Sequence, residues 1–293
     1  MAADPFPIVE SARAKVNLTL HVTGRRHDGY HLLESVVVFA DVGDKITVTS
    51  STDGTLTLDY DGPFAELLPP PADNLVLCAA VALKQAFDVG IGAHIGLTKI
   101  LPVASGIGGG SADAAATLRA LAQLWNIDIN APTCRQIAQS LGADVPVCLA
   151  TRPAMMTGVG ETLAPIPALP DAAMVLVNPG VEVSTQAVFK ARTTPFSATA
   201  GWPDKTADIA ALVDAVRTRH NDLQAPAIEL APEIDVVLKV LGNAPGARLA
   251  RMSGSGATCF ALCASLADAE VCASAVRHAY PTWWVVAAQL QTT

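Results

Sequence analysis

A run of glycines separates a predicted strand from an alanine-rich helix near the middle of the chain. The stretch KILPVASGIGGGSADAAA occupies residues 99–116, and four of the five positions 106–110 are glycine. Leu118, Leu121 and Trp125 then recur at helical spacing. Glycine allows positive φ angles and a close approach of the backbone to a ligand. Because unpaired N–H groups and the positive end of the helix dipole meet at a helix N-terminus, this loop predicts a phosphate site.

Two common phosphate motifs do not match the loop. A Walker A loop ends in Gly-Lys-Ser/Thr, whereas Ser-Ala-Asp follows the last glycine here. A Rossmann loop requires glycine or alanine at Ser111 and an acidic residue near position 130, where this chain has INAP. A turn without a ligand is the alternative. Since three consecutive glycines cost roughly 0.5–1 kcal/mol each relative to alanine, we favour the phosphate site.

The composition restricts the classes of partner. The chain has 293 residues, 51% of them hydrophobic, enough to bury the cores of two domains. It shows no long apolar run and no signal-peptide pattern at its start. A net charge of −8 argues against nucleic acid or a membrane surface as a partner, because both are bound through basic fields. We expect a cytoplasmic protein that binds a small molecule and is a monomer or weak homodimer.

The cysteines and prolines carry organisational information. Six cysteines lie in apolar contexts without a Cys-x-x-Cys pair, so we expect buried free thiols rather than a zinc or redox motif. The proline cluster IPALPD at residues 166–171 predicts a domain boundary. The predicted domains are residues 1–165 and residues 166–293.

The first 60 residues predict paired strands. Residues 8–23 alternate as a half-buried strand that carries Lys15 and Asn17 on its polar face, where a solvated face is the ordinary explanation. Asp-Gly in the turn before Tyr30 and His31 predicts a hairpin, and these two rings suit stacking on a base and hydrogen bonding to it. Residues 44–60 predict a second hairpin.

A capped helix and a strand lie on either side of residue 90. Asn74 is the predicted cap of a helix over residues 75–87. A strand over residues 94–97 leads to Lys99, whose ordinary reading is a solvated charge.

Asp144 follows a second short helix, over residues 133–141. Gly142 is predicted to end that helix in a left-handed conformation. Pro146 is predicted to hold Val145 extended, so that Asp144 lies at a fixed corner. Capping or turn bonding is its ordinary role.

The chain resembles the GHMP kinases in several of these motifs, in collinear order over nearly its whole length. PVASGIGGGS from Pro102 to Ser111 resembles the family's phosphate loop, and LGADVP around Asp144 resembles the segment with its catalytic aspartate. The resemblance implies an α+β fold of two domains: an N-terminal ribosomal-protein-like βαβ domain and a C-terminal ferredoxin-like domain, with the active cleft between them. It implies an enzyme that transfers the γ-phosphoryl group of ATP to an alcohol, with Mg²⁺ bridging the phosphates. The metal ligands stay open, with Ser111 as a candidate.

The resemblance also assigns site residues. Asp144 would take the proton of the attacking hydroxyl, while Lys15 keeps that carboxylate ionised and screens the phosphoryl group. The nucleotide-binding residues would be Asn74, Lys99, Pro102, Val103, Ala104, Ser105, Gly106, Ile107, Gly108, Gly109, Gly110, Ser111 and Ala112. The acceptor-binding residues would be Asn17, Tyr30, His31, Asp144, Thr185 and Phe189. A Gly-Ser-Gly turn at residues 254–256 is a simple turn or, as in the family, part of the cleft wall.

One segment resembles a particular branch of the family. TGRRHDGYHLLES, residues 23–35, is similar to the segment with which that branch holds the cytidine head of a cytidine diphosphate conjugate of methylerythritol. Kinases of this branch phosphorylate the 2-hydroxyl of the methylerythritol part of that conjugate, in the non-mevalonate route to isoprenoid precursors. His27 stands where proline is usual. The alternatives are a GHMP kinase of another alcohol, such as homoserine, and a nucleotide-binding module without catalysis.

Overall fold

The structure is a computed structural model that describes residues 6–292. Within that range the chain forms eleven strands and nine α-helices. The strands are β1 (Ile8–Asn17), β2 (His21–Arg25), β3 (His31–Ser51), β4 (Leu56–Asp61), β5 (Gly92–Thr98), β6 (Ala154–Gly158), β7 (Thr162–Pro165), β8 (Ala173–Asn178), β9 (Ala247–Met252), β10 (Cys259–Cys263) and β11 (Trp284–Gln289). The helices are α1 (Leu75–Ala86), α2 (Gly109–Leu124), α3 (Pro132–Leu141), α4 (Val145–Ala150), α5 (Thr185–Ala191), α6 (Ile209–Arg217), α7 (Gln224–Leu230), α8 (Glu233–Asn243) and α9 (Leu266–Ala279).

Two compact units alternate along the chain. Unit 1 contains the described residues up to Ala14, Gly43–Val103 and Gly108–Thr151. Unit 2 contains Lys15–Val42, Ala104–Ile107 and the described residues from Arg152 onward. The predicted domain boundary between residues 165 and 166 stays a prediction.

In unit 1 the predicted second hairpin is wrong. The second half of β3 pairs antiparallel with β5, and β4 pairs parallel with β5 on its other side. Strand β5 therefore lies between the two strands that were expected to pair. Parallel neighbours need a crossover connection, and α1 provides it between β4 and β5. The alternation around Ile46 and Leu58 identified both strands correctly but carried no information about their partners.

The helices of unit 1 pack through small residues. Helix α2 buries ten of its sixteen residues, six of which are alanine. Because alanine side chains are short, α2 packs closely against α1 and α4. Asn74 caps α1 as predicted, since its Oδ1 accepts a hydrogen bond of 2.9 Å from the N–H of Val76.

Unit 2 contains a four-stranded antiparallel sheet in the order β11-β8-β10-β9. In chain order the elements around it follow a β-α-β-β-α-β pattern, with α8 before β9 and α9 before β11. Strands β8 and β10 are buried along their whole length, and α8 and α9 pack on the sheet. This arrangement confirms the ferredoxin-like prediction.

The hairpin predicted at the Asp-Gly turn is present in unit 2. Strand β2 pairs antiparallel with the first half of β3 around the Asp-Gly turn, and β6 pairs antiparallel with β7. All six cysteines lie within the described residues as free thiols, five of them buried and Cys78 half-buried. No helix in the described part of the chain is long and apolar enough to cross a membrane.

Candidate functional site

The glycine run forms the N-terminus of α2. The helix begins at Gly109, inside the glycine run, and Gly108 is its N-cap in a left-handed conformation with φ 66° and ψ 24°. The N–H of Ala112 bonds to the carbonyl of Gly108 at 2.8 Å. The N–H groups of the preceding residues, Gly109–Ser111, have no acceptor within a helix that starts here. This is the geometry that favours an anion.

In unit 2, residues 104–107, which lead into the glycine run, pack against the turn at residues 253–256. The hydroxyl of Ser253 donates to the carbonyl of Gly106 at 3.0 Å, and the N–H of Thr258 donates to the carbonyl of Ser105 at 3.1 Å. A Cβ atom on Gly106 would lie 2.6 Å from the carbonyl oxygens of both Ser253 and Gly256. Only glycine therefore fits at position 106 in this conformation.

Lys15 and Asn17 are buried beside the same segment. Their residues are only 3% and 1% exposed, so the expectation of a solvated strand face is wrong. The Nζ atom of Lys15 donates to Oδ1 of Asn17 at 2.8 Å, and the N–H of Lys15 donates to the carbonyl of Ile107 at 3.0 Å. The amide of Asn17 donates to the Ser35 hydroxyl at 2.7 Å. These bonds join the main chain of Lys15 to the glycine run and hold its ammonium group on the side chain of Asn17.

The predicted base-binding residues also meet in unit 2. The rings of His31 and Phe189 stack with their centroids 4.7 Å apart and their planes at 17°. Thr185 and Phe189 lie one turn apart on α5, and the Thr185 hydroxyl is 2.7 Å from the hydroxyl of Ser255. Tyr30 is 66% exposed. Burial, followed by the charges of Arg25 and Arg192, lowers the pKa of His31, so its ring is neutral at pH 7.

In unit 1, Lys99 is buried rather than exposed to solvent, so the expectation of a solvated charge is wrong. It is 2% exposed, and its Nζ atom lies 2.5 Å from Oδ2 of Asp44 and 2.6 Å from Oδ2 of Asp113. Sequence reasoning assigned no role to either carboxylate. Asp113 could have been found from its place in the first turns of α2. Asp44 lies in the second half of β3, where no local motif marks it.

The surroundings of Asp144 differ from those predicted. Val145 is helical rather than extended, because Pro146 lies in the first turn of α4, where its missing N–H costs nothing. Asp144 is the N-cap residue, but its carboxylate accepts no bond from the N–H groups of α4, so the capping explanation is wrong. Gly142 is the C-cap of α3, but its φ of 157° and ψ of 158° lie outside the predicted left-handed helical region, in another positive-φ conformation that favours glycine.

Family models identify the class of protein. The model for the GHMP kinases N terminal domain matches residues 74–152, and the model for the GHMP kinases C terminal matches residues 205–282. The chain belongs to the GHMP kinase family, with its two-domain α+β fold.

Named relatives narrow the comparison further. A protein from Paramagnetospirillum magneticum is 52% identical over 95% of this chain and 97% of its own length, and one from Bradyrhizobium diazoefficiens is 48% identical over 98% and 99%. Both are named 4-diphosphocytidyl-2-C-methyl-D-erythritol kinase. A crystal structure of 4-(cytidine 5'-diphospho)-2C-methyl-D-erythritol kinase is 34% identical, with a TM-score of 0.79 and coverage of 97% of this chain and 100% of that one. A homoserine kinase from Cytophaga hutchinsonii, 19% identical with a TM-score of 0.69, shares the fold.

Proposed function

We propose that this chain transfers the γ-phosphoryl group of ATP to the 2-hydroxyl of 4-diphosphocytidyl-2-C-methyl-D-erythritol, in the non-mevalonate supply of isoprenoid precursors. The observation that carries the proposal lies in unit 2: the main-chain N–H of Lys15 is bonded to the carbonyl of Ile107 in the glycine run, and the buried ammonium group of Lys15 is held by Asn17. A buried cation on a residue joined to a phosphate loop suits phosphoryl transfer. The full-length likeness to kinases of that name supports the choice of acceptor.

The glycine run is the proposed phosphate site. GHMP kinases use ATP as the phosphate donor. The bare amides at the start of α2 suit a group as anionic as the triphosphate of ATP. We assign residues 102–112 to the nucleotide, together with Asn74 and Lys99.

Mg²⁺ fits this donor set as an ion held mainly by phosphate oxygens and water. Within residues 6–292 no three His, Cys, Asp or Glu side chains come together as a metal cage. Mg²⁺ in such sites commonly takes one or two protein ligands besides phosphates. The Ser111 hydroxyl is the candidate protein ligand. When bound, the ion would offset negative charge on the phosphates.

Asp144 and Lys15 are the proposed catalytic residues. The carboxylate of Asp144 accepts the proton of the acceptor hydroxyl as its oxygen attacks the γ-phosphorus atom. Lys15, oriented by Asn17, stabilises charge on the transferring group, and its burial strengthens that effect because little water screens it. The protein then contributes mainly position and charge, as phosphoryl transfer demands.

The stacked pair of His31 and Phe189 is the proposed cytosine site. An aromatic face stacks on any base, whereas a neutral imidazole both donates and accepts a hydrogen bond and so can read the edge of the base. We assign Tyr30 to the same base and Thr185 and Asn17 to the rest of the acceptor. We also propose a cytoplasmic monomer or weak homodimer, which light scattering of the purified protein tests.

One assay tests the activity. Purified protein is given ATP and Mg²⁺ with the cytidine conjugate, homoserine or mevalonate, and ADP release is followed by a coupled reaction. We expect turnover with the cytidine conjugate alone. Turnover with homoserine instead would make it a kinase of another alcohol, and ATP binding without turnover on any acceptor would make it a binding module.

A substitution tests the proposed base. Asp144→Asn should lower kcat by about 10²–10⁴-fold, the usual contribution of general base catalysis, and leave ATP binding nearly unchanged. Asp59→Asn, an exposed aspartate in the same unit, is the matched control and should behave as the unmodified protein. Unchanged kcat in Asp144→Asn would refute the assignment.

A further inference from the structure

Unit 1 contains a buried cluster of three charged side chains, Lys99, Asp44 and Asp113. Their side chains are at most 3% exposed, and both carboxylates bond to the same ammonium group. Charges so deeply buried are retained only when they are paired and hydrogen-bonded. Because these side chains are out of contact with solvent, their role lies in the bonds that they make inside the fold.

The cluster joins the chain that enters the glycine run to the helix that leaves it. Oδ1 of Asp44 accepts hydrogen bonds from the N–H groups of Ile100, at 2.5 Å, and Leu101, at 2.7 Å. Asp113 lies on α2, in the turns that follow the run. Through Lys99, the segment before the run is thus tied to the first turns of the helix after it.

Gly109, the first residue of α2, lies directly on the ammonium group. A Cβ atom at position 109 would lie 3.1 Å from Nζ of Lys99 and 3.9 Å from Oδ2 of Asp44. The N–H of Gly109 is one of the amides at the helix N-terminus. A displacement of the Lys99 side chain would therefore move an amide of the proposed phosphate site.

We propose that Lys99, Asp44 and Asp113 are positioning residues, which hold the first turn of α2 in the geometry that binds the nucleotide's phosphates and do so without touching the nucleotide. The inference rests on the proposed function only in taking the glycine run as a phosphate site. It also changes the role of Lys99 from a cation that meets the nucleotide to one that acts through the run.

Substitutions of Lys99 separate these two roles. Lys99→Met should weaken ADP binding, measured by calorimetry, and raise the KM for ATP by about 100-fold, the scale of a misplacement near 1 Å. The KM for the acceptor and kcat at saturating ATP should change little. Lys239→Met is the matched control, because Lys239 is 72% exposed in a surface pair with Asp235, and it should bind ADP as the unmodified protein does.

The variant Asp44→Asn separates the two roles because it keeps the ammonium group of Lys99. It removes the charge that holds this ammonium group, while the side-chain oxygen of the introduced asparagine still accepts the N–H groups of residues 100 and 101. If the cluster acts by positioning, folded Asp44→Asn should bind ADP at least about tenfold more weakly than the unmodified protein, because Lys99 no longer holds the first turns of α2 in place. A folded Asp44→Asn variant that binds ADP as the unmodified protein does would show that the nucleotide needs only the ammonium itself, and would overturn the proposal.

The same measurements keep this proposal distinct from the proposed function. ADP binding needs no acceptor, so the cluster can be tested in a protein that turns over none of the three alcohols. Failure of the acceptor assay with an intact ADP response would refute the activity and leave the positioning role standing. Failure of ADP to bind the unmodified protein would refute both.

Discussion

Replacing Gly106 by alanine measures how tightly the glycine run is held against the turn at residues 253–256. Gly106 has φ 75°, a left-handed conformation that costs an L-residue about 1–2 kcal/mol. The new Cβ would also lie 2.6 Å from two carbonyl oxygens and 2.8 Å from the Gly256 nitrogen. These are backbone atoms, which cannot rotate away, and overpacking of this kind costs about 1–3 kcal/mol. We therefore expect a total loss of about 2–5 kcal/mol in the free energy of unfolding.

Gly180 provides a control for the backbone cost alone. Its φ is 82°, and a Cβ placed there would have no described atom within 4 Å beyond its chain neighbours. Gly180→Ala should therefore cost only the left-handed penalty of about 1–2 kcal/mol. The difference between the two variants, about 1–3 kcal/mol, is the steric part of the Gly106 contact.

Urea unfolding followed by circular dichroism gives both free energies, provided that the slopes of the two transitions agree. Steady-state kinetics gives the functional consequence. A shift that relieves the clash at Gly106 moves the neighbouring Ile107 carbonyl, to which the N–H of Lys15 is bonded, so Gly106→Ala should also lose kcat/KM for ATP. Gly180→Ala should keep it. Equal losses of stability in the two variants, with equal kinetics, would refute the contact.

Three further outcomes are expected. Burial raises the pKa of Asp113 to about 8, so between about pH 4 and pH 8 the folded chain holds a proton there that the unfolded chain has lost. The stability present at low pH is therefore lost as the pH rises, by at most about 1.4 kcal/mol per pH unit. In urea unfolding at a series of pH values, the stability of Asp113→Asn should depend less steeply on pH, and parallel curves for the two proteins would contradict the assignment. Phe189→Ala should raise the KM for the cytidine conjugate by about 5–150-fold, the contribution of one stacked base, and leave the KM for ATP unchanged. Phe196→Ala is the control, because Phe196 is 52% exposed. An equal rise in KM in the control would exclude a specific stack on Phe189. Ser253→Ala removes the hydroxyl that bonds to the Asn17 N–H and to the Gly106 carbonyl. In the same assay the free energy of unfolding should fall by about 1–3 kcal/mol for each group left without a partner. A fall below about 0.5 kcal/mol would show that water replaces the hydroxyl.

Patterns formed by neighbouring residues were predicted well. The glycine run, the cap at Asn74 and the Asp-Gly hairpin depend on backbone freedom and on bonds between residues a few positions apart, so each was identified correctly. The wrong prediction of an extended Val145 has a local cause too. A proline disfavours a helical conformation in the residue before it but is also tolerated in the first turn of a helix, and the chain adopts the second arrangement.

Features that depend on distant residues were predicted poorly. The alternation of β3 and β4 did not reveal that β5, which begins 31 positions after β4 ends, pairs with both. The polar face of β1 was expected in solvent, but Lys15 and Asn17 are buried by contacts with Ile107, Ser35 and Ser253. The family resemblance predicted a catalytic role for Lys15, whereas no spacing in β1 predicted its burial.

The sequence alone located the helix start whose amides form the proposed phosphate site, because a glycine run followed by helical periodicity is a local pattern. Only the tertiary structure decided which side chains lie beside that run. Asp44 meets Lys99 across 55 positions, and Ser253 meets Asn17 across 236. The free energy of such contacts comes from excluding water around paired groups, and that depends on how the folded chain packs rather than on which residues are neighbours in sequence.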